Sequence, residues 1–487
     1  MLHEIFLHVM ISPRPSLYVC NMLIFIINKF IRWADKYNPL GTSKYLIGIG
    51  VTSALGFNCY ALTLSEAVQL ARQGDPTFLS AQANLVVAQE RANQAFANVL
   101  PQINASGNTN FNHRIYTTTG ATSTTFNDRF NSNSAQVNLT QPLFRSANRA
   151  AIAQSDATVA QAEYQFVAAD QDLLVRLAQA WFEVLSARDQ LTYTFGQVGA
   201  AKHEFEQAAR AAELGIAGPP VREEARLKYE QAVAERAAAE SEQAIKFAAL
   251  ELVIGPAAFP TLPALSDQYI PPTMQGDALE RWLGLAETSN PTILAGLSAL
   301  SAAQSEIRKQ YAGHEPTVDI TGSYGRNAQG SGTFGGQGGF NSTSSAIGLQ
   351  VNLPIFSGGG QSAKVREAIA LRTRAQQDLE SARRNARSQG TQAWHGTVAS
   401  QSRLNAAQRA VQFSTLNLQA ALSGSVIGIK KELDVLRGRQ QLYGALRDLA
   451  KARYDVSLNH FRLKAIVGQL TDEDVVRLDQ WLIAPSK

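Results

Sequence analysis

The chain has 487 residues, of which 45% are hydrophobic, 17% charged and 8% aromatic, with a formal net charge of +4. So small an excess of charge over such a length argues against a nucleic-acid partner. The abundance of Ala, Gln, Asn and Ser, with few charges, suits long helices packed closely on small residues better than a compact enzyme core. Both cysteines, Cys20 and Cys59, precede residue 62, so neither a disulfide nor a thiolate site is expected beyond it.

The first segment reads as a leader. Lys44 is followed by an apolar run at 45–57 and then Cys59-Tyr60-Ala61. A basic residue, a short apolar stretch and small residues at the −3 and −1 positions make a secretory signal, with cleavage expected after Ala61. The run is too short to span a bilayer as a helix. A second apolar patch at 23–31 lengthens the leader, and translation from Met22 is an alternative start. Gly56-Phe57-Asn58 does not make a lipobox before Cys59, so no lipid anchor is expected.

Beyond the leader, residues 64–72 form an amphipathic helix. Pro76 restarts a helix running to about residue 99, since proline suits the first helical turn, where the missing N–H costs nothing. Strands are expected at about 102–116 and 133–144. Residues 147–213 contain no proline and only Gly196 and Gly199 as glycines, and would reach about 100 Å as one helix. The pattern then recurs. Pro76 and Pro291 stand 215 apart, as do Pro101 and Pro316; Pro142 and Pro354 stand 212 apart, and Trp181 and Trp394 213 apart. Near-constant spacing of ordered pairs marks a tandem repeat. The expected organisation is a leader over 1–61, a first repeat over 62–278 and a second over 279–487. Strands of the second repeat fall at about 317–327 and 343–356, followed by helix with no proline until Pro485.

The strands are two-faced. Ile347, Leu349, Val351 and Leu353 alternate with Gly348, Gln350 and Asn352, and Val137 and Leu139 alternate with Gln136, Asn138 and Thr140. One polar and one apolar face over about ten residues is what a tilted outer-membrane strand needs. Polar, low-complexity stretches at 117–125 and 330–339 join each pair and suit the cell exterior. Four strands cannot close a barrel, and an open edge in hydrocarbon leaves backbone groups unpaired. Strands borrowed from identical copies solve this. Two copies or three satisfy the physics, and the long helices, which suit a wide tube, favour three.

No catalytic arrangement, metal site or cofactor is expected. The seven histidines show no paired metal-ligand spacing. Ser357-Gly358-Gly359-Gly360 lacks the Lys-Ser/Thr of a phosphate loop and reads as a strand-to-helix turn. Trp181 and Trp394 read as packing anchors, and Arg372, Arg374, Arg383, Arg384 and Arg387 as a solvated helix face.

The segments Gly428-Ile-Lys430-Lys-Glu-Leu-Asp434-Val-Leu436, Gln441-Leu-Tyr443 and Arg447-Asp-Leu-Ala450-Lys-Ala-Arg-Tyr-Asp455, with the strand ending Pro354-Ile-Phe356 and the closing Gly468-x-Leu470, resemble TolC-family outer membrane factors. The resemblance covers essentially everything from about residue 62 to 485. It implies an α+β chain contributing four strands to a trimeric outer-membrane β-barrel, continued by a long α-helical coiled-coil tunnel in the periplasm. It also implies export of proteins or small molecules together with a periplasmic adaptor (membrane fusion) protein and an inner-membrane ABC or proton-driven transporter. The expected partners are therefore a homotrimer, that adaptor and pump, and outer-membrane lipid. The pattern leans towards the branch that serves type I protein secretion, with drug efflux also open. A trimeric coiled-coil adhesin and a periplasmic adaptor are the alternatives; an adhesin places its strands at one chain end, and an adaptor has no membrane-length strand pairs.

The resemblance also marks a closed end. By position, Asp434 matches the first aspartate of a ring that narrows the family's pore, and Lys430 a basic residue of the links that hold the helices shut. The second aspartate position is Arg437, the acidic link position Val221 and the tyrosine position Ser425. The closing network is therefore expected to differ. Three copies of Asp434 in a narrow throat favour cations, and Arg437 at i+3 is placed to offset that field; two solvated surface residues are the alternative reading. The Gly-containing turns at 214–221 and 423–433 mark the periplasmic tips, with Gly215, Val221 and Gly428 as the expected adaptor-docking positions.

Overall fold

A computed structural model describes residues 62–120, 123–216, 218–255, 262–266, 268–269, 271, 279–330, 338–430 and 432–483. The expected leader and its cleavage site lie outside the described residues. The described residues begin with two helices, α1 (Leu64–Gly74) and α2 (Pro76–Ala97), followed by strands β1 (Gln102–Thr118) and β2 (Thr124–Phe144) and helices α3 (Ser146–Glu213) and α4 (Pro219–Ile254). After the two-residue strand β3 (Ala264–Leu265) the order recurs as α5 (Leu279–Ser289), α6 (Pro291–Tyr311), β4 (Thr317–Gln329), β5 (Phe340–Asn352), α7 (Gly360–Val426) and α8 (Glu432–Ile466). A terminal helix α9 (Asp472–Asp479) and strand β6 (Leu482–Ile483) close it, β6 pairing antiparallel with β3. Among the described residues no helix is long and apolar enough to cross a membrane.

Local chemistry sets the helix starts. Pro76 and Pro291 stand in the first turns of α2 and α6, preceded by Asp75 and Asn290, whose side chains accept the Phe78 N–H at 2.9 Å and the Thr292 N–H at 2.8 Å. Each cap satisfies a donor that has no partner within the helix. α1 has a capping box between Thr63 and Glu66. Its N-terminal N–H groups on Leu64 and Ser65 also donate to Asp479 of α9 at 2.8 Å each, so the last helix seals the first.

The long helices are held by seams of small residues. On α7, Ala386, Gly390, Ala393, Thr397, Ser400, Leu404, Ala407, Val411, Ser414, Leu418 and Ala421 step alternately by three and four and are buried or half-buried. α8 answers with Val435, Gly438, Leu442, Ala445, Leu449, Ala452 and Val456 at the same spacing. That is the period of a left-handed coiled coil. The residues meet: Leu404 packs with Leu449, Ala452 and Val456, and a Cβ on Gly438 would lie 3.4 Å from Leu418. α3 and α4 pair similarly, with Ala225, Ala232 and Ala239 buried at heptad spacing and ion pairs Lys228–Glu204 (3.1 Å) and Lys246–Glu183 (3.2 Å) flanking the contact. α3 also packs against α8, bringing Gly196 under the Tyr443 ring and Gly444 beside Tyr193.

The largest apolar core lies where α1, the middle of α3, the end of α4, the end of α8 and α9 meet. Trp181, Leu177 and Leu185 of α3 are fully buried there, with Ala67 and Ala71 of α1 against them. Trp181 is a packing anchor, as its sequence context suggests, whereas Trp394 is only half-buried. Charged links ring this core: Arg72 reaches both Asp170 and Asp472 at 2.8 Å, and Arg176 reaches Asp75 and Asp172 at 2.8 and 2.7 Å.

The strands differ from their sequence-based bounds. β2 begins at Thr124 rather than near 133, because the Thr- and Asn-rich stretch after it pairs residue for residue with Asn110–Thr118 of β1. The two ends of the expected 117–125 loop are therefore ladder, with Thr117 opposite Thr125 and Thr118 opposite Thr124. β5 ends at Asn352 rather than 356, since Pro354 has no N–H to donate.

The buried Asp75–Arg176 pair yields a pH-dependent test. Burial opposes ionisation of Asp75, but hydrogen bonds from Arg176 and from the Phe78 N–H outweigh it, so its carboxyl titrates below its ordinary value. A depressed folded value means the contribution is complete above the unfolded value, about 4, and is lost as pH falls through the lower folded value. Asp75→Asn keeps a cap but loses the ion pair, and is expected to cost about 2 kcal/mol at neutral pH. Thermal unfolding followed against pH should show the wild-type advantage vanish in acid; an advantage that persists below both values contradicts the assignment.

Candidate functional site: an amphipathic open sheet and two paired helical turns

The four long strands form one antiparallel sheet in the order β1-β2-β4-β5. Directly paired residues share a face, so the register defines what each face presents. One face carries the rows Phe144·Val318·Val351, Gln141·Ile320·Leu349, Ile103·Leu139·Gly322·Ile347 and Ala105·Val137·Tyr324·Ser345. The other carries Gln102·Thr140·Thr321·Gly348, Asn104·Asn138·Ser323·Ala346 and Ser106·Gln136·Gly325·Ser344. The first face is apolar and bare to its surroundings, with Ile347 82% and Ile103 69% exposed; the second is polar and uncharged over these rows, with Asp319 at its lower end and Arg114 opposite Asp128 further up. Beyond the Gly107·Ala135·Arg326·Thr343 row the apolar face gives way to Thr109, Asn133, Ala328 and Asn341, so the apolar region is a band with a defined upper limit.

The sheet is tied to the helices below it at one buried point. A bulge between Pro142 and Phe144 ends the β2–β4 ladder. Directly after it, Arg145 donates to both carboxylate oxygens of Asp319, at 2.8 and 2.6 Å. Asp319 is buried, and the two-pronged geometry fixes where α3 departs from the sheet. At the same end of the sheet, on its edge strand, Gly358 and Gly359 take positive φ (60° and 80°) between β5 and α7, which makes this the strand-to-helix turn its sequence suggests.

At the far ends of the long helices the chain makes the same turn twice. Gly215 (φ 71°) follows α3 and Gly428 (φ 74°) follows α7. In the first, the Ile216 N–H reaches back to the Ala211 C=O (2.9 Å) and the Gly215 N–H to Ala212 (3.1 Å). In the second, Ile429 reaches Gly424 (2.9 Å) and Gly428 reaches Ser425 (3.1 Å). These are paired Schellman closures, which need a residue at positive φ and so glycine. Antiparallel packing of α3 on α8 puts both turns at the same end. Each presents bare apolar side chains: Leu214 (74% exposed) and Ile216 (78%) at one, Ile427 (68%) and Ile429 (76%) at the other.

The expected gate residues cluster just beyond the second turn. Lys430 is exposed in the turn, Asp434 half-buried in the first turns of α8, and Arg437 exposed one helical turn on. Val221 is half-exposed at the start of α4, beyond the first turn. The structure thus gathers Gly215, Val221, Gly428, Lys430, Asp434 and Arg437 at one end of the helices. Sequence reading missed the apolar flanks of both glycines and the small-residue seams behind them. The Leu-Gly-Ile and Ile-Gly-Ile triplets, set 213 positions apart (215 to 428), were the available signal. Among the described residues no group of three or more His, Cys, Asp or Glu is placed to hold a metal.

Comparison with known proteins agrees with this geometry. The family model for outer membrane efflux proteins matches residues 67–256 and 282–469. Outer membrane protein TolC of Vibrio cholerae is 26% identical across 91% of this chain and 100% of its own length. The alkaline protease secretion protein AprF of Pseudomonas aeruginosa is 25% identical, covering 86% of this chain and 87% of that one. In fold, the chain is similar to the Campylobacter jejuni CmeC outer membrane channel, with a TM-score of 0.68 over 91% of this chain and 98% of that chain at 16% identity.

Proposed function

The chain belongs to the outer membrane efflux protein family, and from that premise we propose that three copies of it form one channel. It is an outer-membrane protein that exports cargo from the periplasm with partner pumps. The observation that carries the three-copy reading is the four-stranded sheet, apolar on one face and open at both edges. In hydrocarbon each unpaired backbone group costs several kcal/mol, so β1 and β5 must be paired. Eight strands make a barrel filled by its own side chains, whereas twelve leave a lumen, and export requires a lumen. The apolar band then meets lipid, and the Asn-, Gln-, Ser- and Thr-lined face meets water.

The rest of the chain follows from that assembly. Residues 62–278 and 279–487 act as two repeats of one unit, so three chains present six near-equivalent helical hairpins. α3–α4 and α7–α8 form the periplasmic tunnel wall, with the two Schellman turns at its inner end. The Asn-, Gln-, Ser- and Thr-lined rows of the sheet are neutral, and the narrowing at the periplasmic end is the ring of Asp434, with Arg437 offsetting it and Lys430 beside the turn. This is a weakly cation-selective gate. The bare Leu214, Ile216, Ile427 and Ile429 receive the helical tips of a periplasmic adaptor, which links the tunnel to an ABC or proton-driven transporter. Proteins and small molecules both fit as cargo, and the similarity to an alkaline protease secretion protein supports the former.

Planar-bilayer recording tests the gate. Asp434→Asn is expected to lower cation preference and raise the open fraction, and Arg437→Asp to increase cation preference; unchanged selectivity and opening in both variants contradict the assignment. Photo-crosslinkers at Ile216 and Ile429 test docking in cells. Adducts with a periplasmic helical-hairpin protein are expected from both turns, and loss of export without any such adduct counts against docking there.

A further inference from the structure

The register also sorts the charges of the sheet between its faces. The charged residues of its four long strands are Arg114, Arg129, Arg326, Asp128 and Asp319. Both aspartates lie on the polar face, and each has an arginine. Asp128 stands directly opposite Arg114, and Asp319 accepts from Arg145. Arg326 and Arg129 lie on the other face, the one that bears the apolar band, where these strands place no Asp or Glu. Both are exposed. Their neighbours across the ladder supply no negative charge. Ala135 and Thr343 flank Arg326, and His113, opposite Arg129, donates from Nε2 to Asn127 (2.7 Å).

The heights of the two arginines decide what could meet them. Arg326 sits in the topmost row of the band, directly above Tyr324 (61% exposed), and a bare Tyr marks the level of a membrane–water boundary. Arg129 stands six residues further up β2 than Ala135, the partner of Arg326. Six residues rise about 20 Å along a strand, which is about 15 Å along the membrane normal at the tilt of a membrane barrel. A phospholipid headgroup layer is only about 5–8 Å deep on each side. Such a layer reaches Arg326 but not Arg129. Between the two heights, on the same face, Phe111 is 87% exposed among Thr109, Asn131 and Asn133.

We propose that this face, from the top of its apolar band outwards, binds an outer-leaflet glycolipid whose extended headgroup carries several phosphates. Arg326 holds a phosphate at the acyl boundary, and Arg129 holds a second one farther out. This rests on the reading above that the apolar band meets lipid, and it names the lipid. A guanidinium grips phosphate through two parallel N–H bonds, and cations without carboxylates on their own face leave that role to the surroundings. Sugar rings spanning the interval offer C–H faces on which the bare Phe111 ring can stack. The acyl chains of the same molecule continue down the apolar rows, so one amphiphile covers the band and both arginines.

Lipid binding to the full-length chain tests this, read by native mass spectrometry after purification from the outer membrane and delipidation in detergent. The probes are a lipopolysaccharide phosphorylated on both its acylated disaccharide and its inner sugars, the same lipid stripped of phosphate, and phosphatidylglycerol. Arg326→Gln and Arg129→Gln are each expected to weaken binding of the first probe about fivefold. Together they are expected to weaken it about 25-fold, since sites so far apart add. Phosphatidylglycerol is expected to respond to Arg326→Gln alone. Unchanged affinity in the double variant overturns the site. Equal binding of the stripped lipid to the wild type overturns phosphate recognition, and that comparison needs no variant to fold. Loss of phosphatidylglycerol binding on Arg129→Gln overturns the assignment by depth. Fluorescence of Tyr324→Trp against brominated acyl chains reports on the band by itself. Quenching there, with binding indifferent to phosphate, sinks the proposal alone; no quenching sinks the lipid-facing reading and the proposal with it.

Discussion

The backbone N–H and C=O groups along the free sides of β1 and β5 have to find partners, because a hydrocarbon surrounding offers none. A helix satisfies its own backbone, and a closed barrel satisfies its own, but a four-stranded sheet does neither. The apolar rows from Val318 and Val351 up to Tyr324 place this sheet where water cannot make up the deficit. Assembly is thus a condition for the strands to exist in lipid at all. It also explains why the chain can leave large side chains such as Ile355 and Phe356 bare at the edge.

The helices meet a different constraint with different residues. Two helices 68 and 67 residues long, each packed along a shorter partner, must stay closely packed without a single globular core beneath them. The α7–α8 seam does this with Ala, Gly, Ser and Thr among a few Leu and Val, so that the axes approach closely and no position needs a bulky partner. The largest apolar core lies at the crossing of α1, α3, α4, α8 and α9. There Asp479 caps α1, and Arg72 joins Asp170 to Asp472, tying the two ends of the described chain together. Both long helix pairs then end in the same glycine-closed turn, which is where charge and exposed apolar surface coincide.

Much of this was legible in the sequence, for identifiable reasons. Proline positions announced the helix starts because only the first turn tolerates them, and their constant offset exposed the repeat. Alternation at 347–353 announced the two-faced strands because a side-chain period of two has few other causes. The upper reach of β2 was not legible: Thr and Asn serve loops and water-facing strands equally, and only pairing partners distinguish them. The α7 seam was hidden for a similar reason, since Ser400, Ser414 and Thr397 read as polar until a facing helix is present. Asp434 and Lys430 stand out in the sequence only through family position; the apolar flanks Leu214, Ile216, Ile427 and Ile429 do not stand out, because isolated aliphatic residues beside a glycine suggest nothing until they are seen bare at the same end.

The central claim is that an open, amphipathic four-stranded sheet compels three copies to share one wall. The native mass of the complex, extracted gently from the outer membrane and measured in detergent, tests it most directly. Three copies of the processed chain, with no stable smaller species, is the result the account requires. A mass of one or two copies in a complex that still conducts contradicts it, since neither four strands nor eight leave the lumen that export needs.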